Sequence, residues 1–213
     1  MKYKLVIFDL DGTLLDTSRG IFNSVRWAEK KMGFEPIPDV RLREFVGPPP
    51  KSMYMKIYGV NEDVGLKAAQ YHREYGRTKA IYEAKLYPGI DVLLKTLKKG
   101  GYYLAVSTLK SQKIAEAVLE NYNIAEYFDC IVGMDENETL TKCKTIQIAM
   151  CKCNVLEDVL MIGDSQYDWD GAYEAGIDFM GVTYGFGFSS KNILDGKNCI
   201  GSIGTPMEIM KII

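Results

Sequence analysis

Val6-Ile7-Phe8-Asp9-Leu10-Asp11-Gly12-Thr13-Leu14-Leu15-Asp16 begins as an apolar run and stops abruptly in acids. A short apolar run of this kind predicts a buried strand. Asp9 and Asp11 stand two residues apart, so on an extended backbone both side chains leave on one face. Two like charges at the end of a buried strand repel each other and lose hydration. The arrangement makes physical sense with a cation between them, or with one carboxyl kept protonated for acid–base work. Gly12 permits a sharp turn or a close backbone approach, and the Thr13 side chain can bond the loop it sits in. An ordinary acidic turn uses the same residue types, so the rest of the chain has to decide.

It repeats the theme. Val159-Leu160-Met161-Ile162-Gly163-Asp164 is a second apolar run ending in Asp. Between and beyond the two runs, strands and helices alternate. Val92 to Lys99 predicts an amphipathic helix stopped by Gly100-Gly101, and Tyr102 to Ser107 a strand ending in hydroxyls. Ser111 predicts a cap for a helix bearing Ile114, Val118 and Leu119. A strand at Cys130-Ile131-Val132, a helix through Thr145 to Met150, a helix at Asp170 to Ala175 and a strand at Phe179 to Thr183 follow. Thr205-Pro206-Met207-Glu208 reads as a capping box with proline at the first helical position, predicting a closing helix. This alternation predicts a doubly wound α/β fold with a parallel sheet covered on both faces. Ligands in such sheets bind beyond the carboxyl ends of the strands, where Asp9, Ser107 and Asp164 all fall.

One segment breaks the pattern. Ile21, Val25, Ala28 and Met32 recur at helical spacing up to Gly33, and from Phe34 to about Tyr87 no buried strand is evident. Helical pieces opened by Asp39, following Pro48-Pro49-Pro50, and opened by Asn61 (with Leu66, Ala69 and Tyr75) fill it. The expected organisation is an α/β core from residues 1–16 and 86–213, with an α-helical cap at 17–85 placed as a lid over the strand ends.

Composition fits. With 47% hydrophobic and 25% charged residues, the 213-residue chain is an ordinary globular sequence. A net charge of −2 gives no electrostatic reason to expect a nucleic acid polymer or an anionic membrane as partner. No apolar run approaches spanning length, and a cytoplasmic protein, monomer or homodimer, is expected. Five cysteines (Cys130, Cys143, Cys151, Cys153 and Cys199) at irregular spacing argue for reduced thiols rather than disulfides or a zinc site. The single histidine, His72, lies in a polar helical stretch and is expected to be solvated.

Without a Cys or His nucleophile, the chemistry falls to Asp9, Asp11 and Asp164, the hydroxyls of Ser107 and Thr108, and a lysine. Oxygen ligands with an open side suit Mg²⁺, which takes few carboxylates and completes its shell with water and phosphate oxygens. Phosphoryl transfer is the natural reaction, with one Asp as nucleophile and another as general acid and base.

The chain resembles phosphatases of the haloacid dehalogenase superfamily that carry an inserted helical cap, and the match runs nearly end to end. Asp9-Leu10-Asp11-Gly12-Thr13-Leu14 fits the first motif, which implies Asp9 as nucleophile and Asp11 as general acid/base. Ser107 fits the second, a hydroxyl that binds a phosphoryl oxygen, and Lys142 fits the third by its spacing to Ile146 and Ala149. Gly163-Asp164-Ser165-Gln166-Tyr167-Asp168 fits the fourth. The resemblance implies Mg²⁺ held by the Asp9 and Asp164 carboxylates and the Asp11 carbonyl, with Asp168 in the outer shell.

Departures exist. Ser107-Thr108-Leu109-Lys110 stands where relatives have Thr-Ser-Lys or Thr-Asn-Lys, so Thr108 shares the claim to the phosphate-binding hydroxyl. Lys144 competes with Lys142, and their spacing points them apart. Phe45-Val46-Gly47-Pro48-Pro49-Pro50, Tyr87-Pro88-Gly89 and Val182-Thr183-Tyr184-Gly185-Phe186-Gly187 are similar to the phosphoglycolate phosphatase-like group, which includes 5′-nucleotidases. Arg41, Arg43, Lys51 and Tyr54 near the Gly-Pro-Pro loop are candidates for reading the substrate, or simply solvated side chains. The implied function is a Mg²⁺-dependent phosphatase for a small phosphomonoester, phosphoglycolate first, a nucleoside 5′-monophosphate second, with a phosphomutase behind both. A dehalogenase would be expected to lack Asp11 and the Gly163-Asp164 pair.

Overall fold

The computed structural model describes residues 2–189 and 198–213. β1 (Leu5–Phe8) is followed by a small antiparallel pair, β2 (Leu15–Asp16) with β3 (Lys85–Leu86). The main sheet adds β4 (Tyr103–Ser111), β5 (Cys130–Met134), β6 (Val159–Gly163), β7 (Asp178–Val182) and β8 (Cys199–Ile203) to β1. Its order is β5-β4-β1-β6-β7-β8, and every pairing is parallel. The chain builds outward from β1 through β4 to β5, then returns to β1's other side for β6, β7 and β8. The strand order therefore reverses at β1, which opens a crevice at its carboxyl end.

Both faces of β1 are buried, which is why the run carries no alternation. Val6 and Phe8 pack into an apolar cluster with α4 (Ile90–Lys99) and α5 (Gln112–Asn121). Leu5 and Ile7 pack on the opposite face with α6 (Lys142–Lys152) and α7 (Gln166–Ala175). All four side chains are fully buried, each contributing about 1.5–3 kcal/mol.

A third apolar cluster belongs to the helical segment. Ile21, Val25 and Ala28 of α1 (Ser18–Met32) meet Tyr54 of α2 (Pro50–Tyr58) and Ala68 and Ala69 of α3 (Glu62–Thr78). Leu42 and Phe45 from a 3-10 turn (Asp39–Phe45) complete it. The boundaries follow local chemistry: Gly33 ends α1 at φ 68°, Pro50 opens α2, and the Asn61 side chain accepts the Val64 N–H at the start of α3. β2 and β3 zip together where the chain leaves and re-enters the sheet.

Several expectations are corrected. β4 runs on to Ser111 through a register shift between Ser107 and Ser111, and the Ser111 side chain makes no capping bond to α5. The Thr205 hydroxyl bonds the Glu208 carboxylate instead of closing a capping box, and the closing element is a 3-10 turn, Pro206–Lys211. β8, rich in small residues, had no sequence signal of its own. Thr13's hydroxyl is buried without a hydrogen-bond partner, although its carbonyl accepts from Tyr184.

Candidate active site

β1 and β6 deliver acids to the crevice. Asp9 follows β1, held in register by its own N–H to the Ile162 carbonyl at 2.9 Å, and Asp164 follows β6. α7 supplies Asp168 three residues into the helix, where a true capping box forms. Asp168 Oδ2 accepts from the Ser165 N–H at 3.0 Å and the Ser165 hydroxyl at 2.7 Å. Carboxylate oxygens of Asp9, Asp164 and Asp168 lie within 4.8 Å of one another, and all three residues are buried.

Lys142 ties this cluster together from the first turn of α6. Its ammonium donates to Asp9 at 2.6 Å, to Asp168 at 2.6 Å and to the Ser107 carbonyl at 2.7 Å. Lys144 points away, exposed, with Gln147 as its partner at 3.2 Å. Thr141 decides between them: its side chain accepts the Lys144 N–H and sets the first turn of α6. Position 142 thereby faces the sheet and position 144 the solvent.

Burial pushes the Asp9 carboxyl well above the usual range; Lys142 opposes the shift, and Asp168, Asp164 and Asp11 add to it. Asp164 is pushed up to about 7, by burial and by Asp168, against the stabilising N–H groups of Phe186 and Gly187. Burial works against the Lys142 charge, but Asp168 and Asp9 together hold its pKa above the ordinary lysine value. The Asp9, Asp164 and Asp168 carboxylates offer the hard oxygen donors that a divalent cation takes and could hold one.

Asp11 faces elsewhere. Both of its oxygens accept from Lys110 at 3.0 Å, and Oδ1 also accepts from Thr17 at 2.5 Å. Its carboxylate is therefore not part of the cluster formed by Asp9, Asp164 and Asp168. The Lys110 contact and the two amides that grip Asp164 (Phe186 at 2.6 Å, Gly187 at 3.2 Å) are parts of the site that sequence reasoning missed. Lys110 stood in the stretch already singled out, whereas backbone donors leave no residue signal. Gly12, at φ +86°, completes the fit: a Cβ there would lie 2.2 Å from Asp164 Oδ2 and 2.7 Å from the Phe186 ring.

The two hydroxyls differ in placement. Ser107 is fully buried and shares a 2.8 Å hydrogen bond with Thr145 of α6. Thr108, one residue on, lines a cavity of about 10 Å³ with Asp9, Asp11, Lys142, Ser165 and Gly47. Gly47 comes from the Gly-Pro-Pro loop, so the helical segment closes this cavity. A second cavity of about 60 Å³ adjoins it, sharing Asp11, Gly47 and Leu109, and reaches into the helices past Phe45, His72 and Arg73.

His72 overturns its expectation. It is buried on α3, with Nδ1 3.2 Å from the Tyr54 hydroxyl, and burial, with Lys110 and Arg73 nearby, lowers its pKa to about 3. Of the four residues near the loop, Arg41 pairs with Glu44 at 2.7 Å, Lys51 with Glu62 at 3.2 Å, and Tyr54 is fully buried inside the helical cluster. Arg43 alone lines a cleft that reaches Asp11 and Asp164, from its exposed outer wall.

Among the described residues, no helix is long and apolar enough to cross a membrane. Residues 6–182 match the family model for haloacid dehalogenase-like hydrolases. A 5′-nucleotidase of Pseudomonas aeruginosa is 34% identical over 189 residues, covering 88% of this chain and 86% of that protein. A phosphoglycolate phosphatase of Vibrio cholerae is 30% identical over 226 residues, covering 98% and 97%. The crystal structure of a predicted phosphatase from Clostridium acetobutylicum superposes with a TM-score of 0.89 at 38% identity, covering 98% and 97%. A parallel sheet reversed at β1, acids at the ends of β1 and β6, a lysine from α6 and the family match over both runs agree, and the chain belongs to the haloacid dehalogenase-like hydrolases.

Proposed function

We propose that the protein is a Mg²⁺-dependent phosphatase that hydrolyses a small phosphomonoester through a phosphoryl-aspartate on Asp9, with residues 17–85 acting as its cap. The reading rests on one observation above all. Lys142 holds Asp9 and Asp168 beside Asp164 at the carboxyl end of the central strands, with Thr108 on the wall of the same cavity.

A carboxylate oxygen of Asp9 attacks phosphorus, and the bond to the alcohol oxygen breaks. Asp11 gives that oxygen its proton, then takes one from the water that attacks the phosphoryl-aspartate and releases inorganic phosphate. Lys142 and the Thr108 hydroxyl bind the phosphoryl oxygens; Thr108 takes the role expected of Ser107, whose hydroxyl is committed to Thr145. The Asp9 and Asp164 carboxylates and the Asp11 carbonyl would hold Mg²⁺, with Asp168 orienting Lys142 from outside. When bound, the ion neutralises charge on the phosphoryl group.

Relatives named 5′-nucleotidase and phosphoglycolate phosphatase support a small soluble substrate. The decisive assay is phosphate release from 2-phosphoglycolate, nucleoside 5′-monophosphates and sugar phosphates, with and without Mg²⁺, beside Asp9→Asn. Metal-dependent release by the wild type alone is expected. Release that persists in Asp9→Asn, or that ignores Mg²⁺, refutes the assignment. Isomerised product in place of inorganic phosphate identifies a phosphomutase.

A further inference from the structure

The cavity between the sheet and the helices shares Asp11, Gly47 and Leu109 with the one at Asp9, so on the phosphatase reading it would receive the leaving group of a bound phosphomonoester. That cavity presents two cations among the described residues, Lys110 and Arg73, and both are already paired. Lys110 spans the two oxygens of Asp11. Arg73, from α3, donates to Glu138 Oε1 at 2.5 Å, and both side chains are nearly fully buried (10% and 3% exposed).

Glu138 reaches this position by design of its loop. The Asp135 side chain accepts the N–H groups of Asn137, Thr139 and Leu140 and folds residues 135–140 into a tight turn. Glu138 takes a left-handed backbone at φ 55° there, and its second oxygen accepts the Lys51 N–H at the start of α2. The core thus sends an acid across the cavity to cancel the one arginine the helices contribute. Apart from Asp11 and Lys110, which serve the proton transfer, the walls carry Asp135 and Glu138 against Arg73 and are net acidic. The remaining surface includes Ile21, Phe45, Leu109 and Met134, which is apolar.

We infer that Glu138 is a specificity-determining residue: by neutralising Arg73 it makes the cavity select phosphomonoesters whose alcohol is uncharged and partly apolar. This rests on the phosphatase reading and reverses the substrate order that the family resemblance implied, placing nucleosides and other neutral alcohols ahead of glycolate. A carboxylate entering the cavity beside Arg73 meets an acidic wall and an arginine already paired with Glu138. Arg43 does not change this, being exposed on a separate cleft whose walls also carry Asp16, Glu44 and Asp164.

The test compares kcat/KM for 2-phosphoglycolate with that for 2-hydroxyethyl phosphate, which replaces the carboxylate by a hydroxymethyl group, and for nucleoside 5′-monophosphates. Wild type is expected to favour the neutral esters at least about ten-fold, the scale of one lost charge contact. Glu138→Gln, which frees Arg73, is expected to raise the ratio for 2-phosphoglycolate about ten-fold, chiefly through KM. Wild-type preference for 2-phosphoglycolate overturns the proposal and leaves the phosphatase standing, and this comparison holds whether or not Glu138→Gln folds. An unchanged ratio in a folded Glu138→Gln protein overturns it as well. No Asp9-dependent release from any ester, p-nitrophenyl phosphate included, overturns the phosphatase reading and this inference together.

Discussion

Replacing Lys142 and Lys144 by Met, one at a time, applies the same chemical change at two positions two residues apart. Met keeps most of the aliphatic stem and removes the charge. At position 142 the stem packs against Gly171, where an added Cβ would lie 2.6 Å from Lys142 Cγ, so the volume is retained. What is lost is the ammonium that pairs with Asp9 and Asp168 at 2.6 Å each. Removing one partner of a buried ion pair costs about 3–5 kcal/mol, because the other charge stays buried without compensation. For a chain of this size, about 2–4 °C per kcal/mol applies, so the midpoint should fall by roughly 6–20 °C. Lys144 is exposed, with its ammonium bonded to Gln147 at 3.2 Å, so its loss should stay within about 0.5 kcal/mol.

The contrast should depend on pH, with a predictable sign. Burial holds the Asp9 and Asp164 carboxyls above their unfolded values, Asp164 at about 7. The folded state therefore keeps protons that the unfolded chain releases, and stability falls as pH rises from about 4 toward 7. Removing Lys142 takes away the charge that opposes this shift at Asp9. The deficit of Lys142→Met should accordingly be smaller at pH 5 than at pH 8. Calorimetry on both variants in EDTA at the two pH values is the assay. Equal midpoints for the two variants, or a deficit that grows as pH falls, would refute the placement of the lysine.

Gly12→Ala should cost about 1–2 kcal/mol for its left-handed backbone alone and should lower kcat about 100-fold by displacing Asp164; an unchanged rate would sink the claim of close approach. His72, held neutral with a pKa of about 3 against an ordinary 6.5, should make stability fall as pH drops between those values, by about 1.4 kcal/mol per pH unit. Urea unfolding of His72→Gln beside the wild type at pH 4.5 and 7 reads that slope, and parallel behaviour of the two proteins would contradict it. Mg²⁺ at 100 times its dissociation constant should stabilise the protein by about 2.7 kcal/mol. Asp164→Ala should abolish that gain in a thermal titration, and a persisting gain would move the ion elsewhere.

What could be read from the sequence was whatever short-range pattern fixes. Asp9 and Asp164 were legible because an apolar run ending in acid needs no knowledge of its neighbours. The segment from 17 to 85 stood out because its helical spacing interrupts the alternation of strand and helix. His72 was not legible: Gln70, Arg73 and Glu74 flank it in polar sequence, and its burial comes from Tyr54 on another helix. That Thr108 lines the cavity while Ser107 bonds Thr145 depends on where β4 loses register, and a slip of one residue exchanges the faces of a strand. Asp164 is gripped by amides of residues 186 and 187, which any side chains would present equally well. Glu138 illustrates the limit most directly. Its loop is local and readable, since Asp135 precedes a run of backbone donors it can satisfy. Its partner Arg73 lies 65 positions earlier, and only the docking of α2 and α3 against the loop after β5 brings the two charges together.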